Sequence, residues 1–266
     1  MDPKGLSESA QFLSDNLRLR SLPIAVKFLP EPVFPDKTKR PSQAMGKRVT
    51  ICQGVTMARL YGWTVGLTRQ DLICVPAMIG FGFTRAPNQK ALVGKLFCDV
   101  TLARDLDAGT REAETMSFLG NGEYQGILLT PLQRAGFEPD TIAVYANPAQ
   151  IMRMIQGWSF STGERVTANI GGKVECTEYL IAPFKTGNIR VAIPGNGDRI
   201  FSMTQDDEMV LSLPGDKLDV LVEGLKAAGK AIGAKYPVTF YQNFQPEFPA
   251  YYKKLGTELG VDGEGT

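Results

Sequence analysis

The stretch ILLTPLQRAGFEPDTIAVYANPAQIMRMI, residues 127–155, reads as two strands followed by a helix. Ile127 to Thr130 and Thr141 to Tyr145 are short runs of branched and aromatic residues, separated by Pro131, Gly136 and Pro139. Asn147 and Pro148 then form an N-cap and first-turn pair, and Ile151, Met152 and Ile155 open a helix. Upstream, residues 6–19 have helical spacing with Leu6, Phe12, Leu13 and Leu17 as the buried stripe, and Ile24 to Leu29 reads as a strand. Residues 30–46 hold four prolines and no periodicity, so they form a loop. Thr64 to Leu67 reads as a buried strand, KLFCDVTLA (95–103) as another, and Thr110 to Leu119 as a helix. Downstream, Ile189–Ile193, Ile200–Met203 and Met209–Leu213 read as three strands with tight connections, and Lys217–Ile232 as an amphipathic helix. The expected class is α/β in content and α+β in type: a mixed sheet with an antiparallel C-terminal meander, and helices packed on it. One domain over 1–266 is expected, with residue 105 as the place for a subdomain boundary and 256–266 as a frayed tail.

Four cysteines and no histidine set the chemistry. Without imidazole, Ser-His-Asp and Cys-His catalysis are excluded, as are His-containing zinc sites and His-ligated haem. The net charge of +1 gives no bulk field to recruit nucleic acid. The start, MDPKGLSESAQ, has no apolar signal-peptide core, and the longest apolar run, residues 74–83, is too short to span a bilayer. A cytoplasmic protein is expected, with thiols that are free, catalytic or metal-bound rather than paired in disulfides.

Cys52, Cys74, Cys98 and Cys176 are separated by 21, 23 and 77 residues, with no C-x-x-C. That pattern argues against a zinc ribbon, a thioredoxin-type dithiol and the common ferredoxin arrangement. Spacing alone leaves two readings: inert core thiols, or a site assembled from distant segments. Cys52 and Arg59 share a face of the helix in TICQGVTMARLYG. Pro76 suits a first helical position and puts Cys74 near a helix start, where a thiolate is favoured. Cys176 lies in GGKVECTEYLIAPF, a short helix after a glycine turn.

The loop Pro194–Arg199 has two glycines, Gly195 and Gly197 on either side of Asn196, that let its backbone approach a ligand, and a guanidinium at Arg199 that could hold an anion. A plain hairpin connection is the competing reading. The cations Lys37, Lys39, Arg40, Lys47 and Arg48 read as an anion-binding arm or, more simply, a solvated loop. Asp206, Asp207 and Glu208 read as turn carboxylates.

Several motifs occur together: CQGVTMAR, LTRQDLICVPAMIGFGF, LLTPLQRAGFEPDTIAVYANPAQIMRMIQG, GGKVECTEYLIAP and IPGNGDRIFSMTQDDEMVLSLPGDKLDVLVEGL. In this order they resemble the prokaryotic "domain of unknown function 169" family over most of residues 20–228. The resemblance implies that Cys52, Cys74 and Cys176 sit in the family's cysteine-bearing motifs; Cys98 matches none with the same assurance. Relatives of this kind are common in anaerobes, where oxygen-sensitive clusters persist. With that resemblance, the expected cofactor is an iron–sulfur cluster, [4Fe–4S] favoured, held by Cys52, Cys74, Cys98 and Cys176 with Arg59 or Arg199 tuning its charge. A set of only three cysteines would leave one iron open. The expected role is electron transfer, or redox or Lewis-acid chemistry. A metal-free anion-binding protein using the GNGDR loop is the alternative, and a thiol enzyme using Cys74 a further one. A redox partner, a small-molecule ligand or a second copy of the chain are the expected partners; nucleic acid and membrane are not.

Overall fold

The computed structural model describes residues 2–238 and 249–261. Its chain order is α1 (Pro3–Leu17), β1 (Ile24–Leu29), α2 (Pro41–Ala44), α3 (Ile51–Arg59), β2 (Val65–Thr68), α4 (Val75–Gly80), α5 (Gln89–Asp99) and α6 (Leu106–Thr115). There follow β3 (Gly126–Pro131), β4 (Thr141–Ala146), α7 (Pro148–Thr162), a π-helical turn (Thr177–Ile181) running into α8 (Ala182–Thr186), and β5 (Arg190–Ala192). The order closes with α9 (Asn196–Phe201), β6 (Met209–Pro214), α10 (Leu218–Ala227) and α11 (Ala250–Leu259).

The six strands form one sheet in the order β2-β3-β1-β4-β6-β5. The α+β class is as expected, but every pairing of these strands is antiparallel rather than mixed. Parallel pairing survives only in isolated bridges, Lys39 with Val65 and Val49 with Leu72. The reason is topological: β3 and β4 pair on either side of the early strand β1, with no helical crossover between parallel neighbours. The expected C-terminal meander keeps its outer strands, β5 and β6, which pair directly. Its middle strand, residues 200–203, is instead the end of α9 and the turn after it.

Alternation of side chains splits the core into two layers. Ala25, Ile142, Val144, Leu211 and Leu213 face α1, α7 and α10, meeting Leu13, Met154 and Leu221. Val26, Phe28, Leu129, Tyr145 and Val210 face α3, α4 and the π-helical turn, meeting Val55, Phe81 and Tyr179. A satellite cluster, including Val93, Phe97 and Ala113, joins α5 to α6. Residue 105 caps α6 within that helical pair. Of the expected frayed tail, residues 256–259 complete α11, while 262–266 lie outside the described residues.

Local signals account for the elements. Asp2 caps α1 by accepting from Gly5 N at 2.8 Å, and Asn147 caps α7 with a capping box to Gln150. Helices α7 and α10 cross at glycines: a Cβ on Gly224 would sit 1.9 Å from the Gly157 carbonyl oxygen. That contact is between backbones, so no side chain can swing aside. G224A should therefore lower stability by about 1–3 kcal/mol. Chemical denaturation checks this; a midpoint equal to wild type at unchanged slope would refute the crossing.

A candidate thiol site beside Asp198

Three of the four cysteines come together on the α3 side of the sheet. Helix α3 starts in a capping box: Gln53 N donates to Thr50 Oγ1 (3.1 Å) and Thr50 N donates to Gln53 Oε1 (2.8 Å). This fixes Cys52 in the first turn, with Sγ 3.0 Å from Thr50 Oγ1. Cys74 is the N-cap residue of α4, and Cys176 is buried just before the π-helical turn. The first turn of α9 closes over Cys52: a Cβ on Gly197 would lie 3.8 Å from its Sγ.

Electrostatics ties the three thiols into one neighbourhood. Burial pushes Cys52 up to about 12, and the charges of Asp198 and Cys74 push the same way. Burial also holds Cys176 well above the usual thiol range, with Cys74, Asp198 and Cys52 adding to it. Cys74 is raised too, by burial, which outweighs the lowering influence of the Ala77 N–H. The helix start thus fails to favour the Cys74 thiolate as its position in sequence suggests, because desolvation outweighs one backbone donor.

Cys98 has a different setting. KLFCDVTLA is not a strand; Cys98 is near the C-terminal end of α5, half-buried in the α5–α6 pair. Among the described residues, no group of three or more Cys, Asp or Glu is spaced to hold a single metal ion.

Asp198 is the carboxylate common to the three thiols, and sequence reasoning did not single it out. It is 3% exposed. Tyr179 Oη donates to its Oδ1 at 2.6 Å and Tyr145 Oη at 3.3 Å. Burial raises its pKa even so. Arg59 stacks over Tyr145, 4.1 Å from the ring centroid, and pairs with Glu208 at 2.9 and 3.3 Å. Arg59 therefore belongs to this buried network, held from the far side by Glu208, which the sequence reads as a turn carboxylate. Asn196 is exposed at the first position of α9. Arg199 is tied outward, donating to the Gln205 carbonyl at 2.7 Å with Asp206 at 3.6 Å. Of the GNGDR loop, Gly197 and Asp198 meet the thiols, while Arg199 is engaged elsewhere.

A second carboxyl flanks the site. Glu175 Oε1 accepts from the backbone N–H groups of Gly171 (2.7 Å) and Gly172 (2.5 Å). Burial nevertheless pushes its pKa up to about 7. Glu175 and Tyr179 stand close to Cys176 in the sequence, whereas Tyr145 and Asp198 have no cysteine near them in the sequence to mark them.

The described residues contain no helix long and apolar enough to cross a membrane. No solved structure matches the chain. It is 23% identical over 229 residues to Uncharacterized protein MJ0308 of Methanocaldococcus jannaschii, covering 85% of this chain and 96% of that relative. A family model described as "Uncharacterised ArCR", domain of unknown function 169, matches residues 13–224. That span includes both faces of the sheet and all three clustered thiols, and the chain belongs to this family.

Proposed function

We propose that this chain is a cytoplasmic iron–sulfur protein whose cluster is held by Cys52, Cys74 and Cys176, with one iron not bound by cysteine. The observation that carries the reading is the meeting of three thiols from three separate segments, the third more than a hundred residues after the other two, beside one buried carboxylate. The donor set suits the group. The cysteines of a cubane cluster bind different irons, so they stand farther apart than ligands sharing one ion. A triad too open for a single ion is compatible with that. The high thiol pKa values also fit a site that lacks a counter-charge in the protein alone; a bound cation is what makes such thiolates affordable. They speak against Cys74 as a free nucleophile, which would need a depressed pKa.

When bound, such a cluster supplies electron storage or, at its open iron, a Lewis-acid position. The protein's own residues define its surroundings. Asp198, held by Tyr145 and Tyr179, places a carboxyl beside the thiols, and Arg59 fixes Tyr145 from behind. Cys74 is the half-exposed member, so the site opens to solvent on its side. The partner is a redox protein or a small molecule that approaches there.

The test is anaerobic purification and reconstitution with iron and sulfide, followed by visible absorbance and elemental analysis. C52S, C74S and C176S are each expected to lose most of the bound iron, with C98A retaining it. A colourless, iron-free wild type overturns the reading. Equal loss in C98A would restore a four-cysteine set and overturn the open iron.

A further inference from the structure

We infer that the cleft at the C-terminal end of α4 binds a small organic anion, a carboxylate or phosphate carried on an apolar body. The cleft has a volume of about 510 Å³, within the range of small-molecule sites. Its lining includes Arg40, Arg69 and Arg85 and no Asp or Glu. Arg40 is neutralised: it pairs with Asp71 at 2.5 Å and donates to Thr68 Oγ1 at 2.8 Å. Arg69 and Arg85 have no ion pair or side-chain hydrogen bond among the described residues. Two uncompensated guanidinium groups thus share one concavity, whose walls concentrate their field.

The rest of the lining fits an organic rather than an inorganic anion. Phe83 and Tyr124 supply aromatic surface, and Gln70 and Gln125 supply amide groups that can orient a polar ring or chain. Thr84 Oγ1 is buried and has no partner among the described residues, leaving one hydroxyl of the lining unsatisfied. The backbone is closely packed here. Gly122 N donates to the Gly82 carbonyl at 2.9 Å, and a Cβ on Gly82 would lie 2.2 Å from the Gly120 oxygen. The concavity therefore exists before any ligand arrives, which reduces the ordering cost of binding.

Helix α4 connects this cleft to the thiol site: Cys74 caps its N-terminus, and residues 82–85 follow its C-terminus. The inference does not depend on a cluster, because no thiol lines the cleft.

Isothermal titration of the whole chain with inorganic phosphate, succinate and AMP tests it. At least one organic probe should bind more tightly than inorganic phosphate. AMP bound above succinate identifies a phosphate ligand, and the reverse a carboxylate. R69A and R85A should each weaken that binding by roughly tenfold or more, the loss expected for a charged hydrogen bond. T84V should weaken it less. Three results overturn the proposal: no organic probe binding at about 10 mM, inorganic phosphate binding as tightly as both organic probes, or an R69A/R85A double variant that binds like wild type. Circular dichroism of the variants separates lost binding from lost fold.

Discussion

Arg59→Met is expected to destabilise the protein by about 3–5 kcal/mol, the cost of leaving one charge of a buried pair without its partner. Arg59 is 1% exposed and Glu208 5%. Methionine fills much of the arginine volume, so the loss is electrostatic more than steric. It strands the Glu208 carboxylate, removes a donor to Ser21 Oγ, and takes the cation from the Tyr145 ring. Glu208→Gln in the same chain should restore a large part of the stability, because no uncompensated charge then remains. Urea unfolding of both single variants and the double gives the coupling energy. Strict additivity would show that the pair is not the origin of the effect. If Arg59→Met is instead harmless, the buried network beside the thiols is not a structural unit.

Asp71→Asn is the second large effect, at about 2–4 kcal/mol, and it carries a pH signature. Asp71 is fully buried. It accepts from Arg40 Nε (2.7 Å), Ser42 Oγ (2.6 Å), Thr68 N (2.9 Å) and Thr68 Oγ1 (2.9 Å). Burial raises its pKa, but the bonds from Arg40, Ser42 and Thr68 outweigh burial and hold it below the ordinary 3.8. A carboxyl depressed in the folded state stabilises fully above its unfolded value. That contribution is lost as pH falls below 3.8 through the folded value. Wild type should therefore lose stability more steeply than Asp71→Asn as pH falls below about 4. Parallel stability curves for the two proteins over pH 2–6 would refute the assignment.

The elements that sequence marks with local chemistry were readable. The Asn147-Pro148 start of α7, the Pro23-led strand β1, and the strands at 126–131 and 141–146 all stand within a residue or two of where their punctuation puts them. The errors fall where tertiary contact decides. Residues 95–99 have strand-like composition, yet they complete a helix capped by Asn88 and packed on α6. Residues 200–203 read as a strand, but Ser202 Oγ donates back to the Asp198 carbonyl at 2.5 Å and secures a helical turn. That turn sets Asp198, which the sequence reading left in a loop without a role, against the Tyr145 and Tyr179 hydroxyls. The thiols themselves were legible as residues, and three of them as a group through the resemblance alone. Nothing in the spacing of Cys98 distinguished it; its place in a separate helical pair does.

The position of β1 carries a consequence for how the chain reaches this state. It is an inner strand of the sheet, paired with β3 on one side and β4 on the other. Both partners are synthesised about a hundred residues later. Until they emerge, an apolar strand has no ladder to join, and the two core layers have no common floor. Assembly of the sheet is thus a late, non-local event, of the kind that slows folding and exposes strand edges to other chains. The same connectivity makes the sheet cooperative: residues 24–29 stitch its two halves, and neither half closes without them.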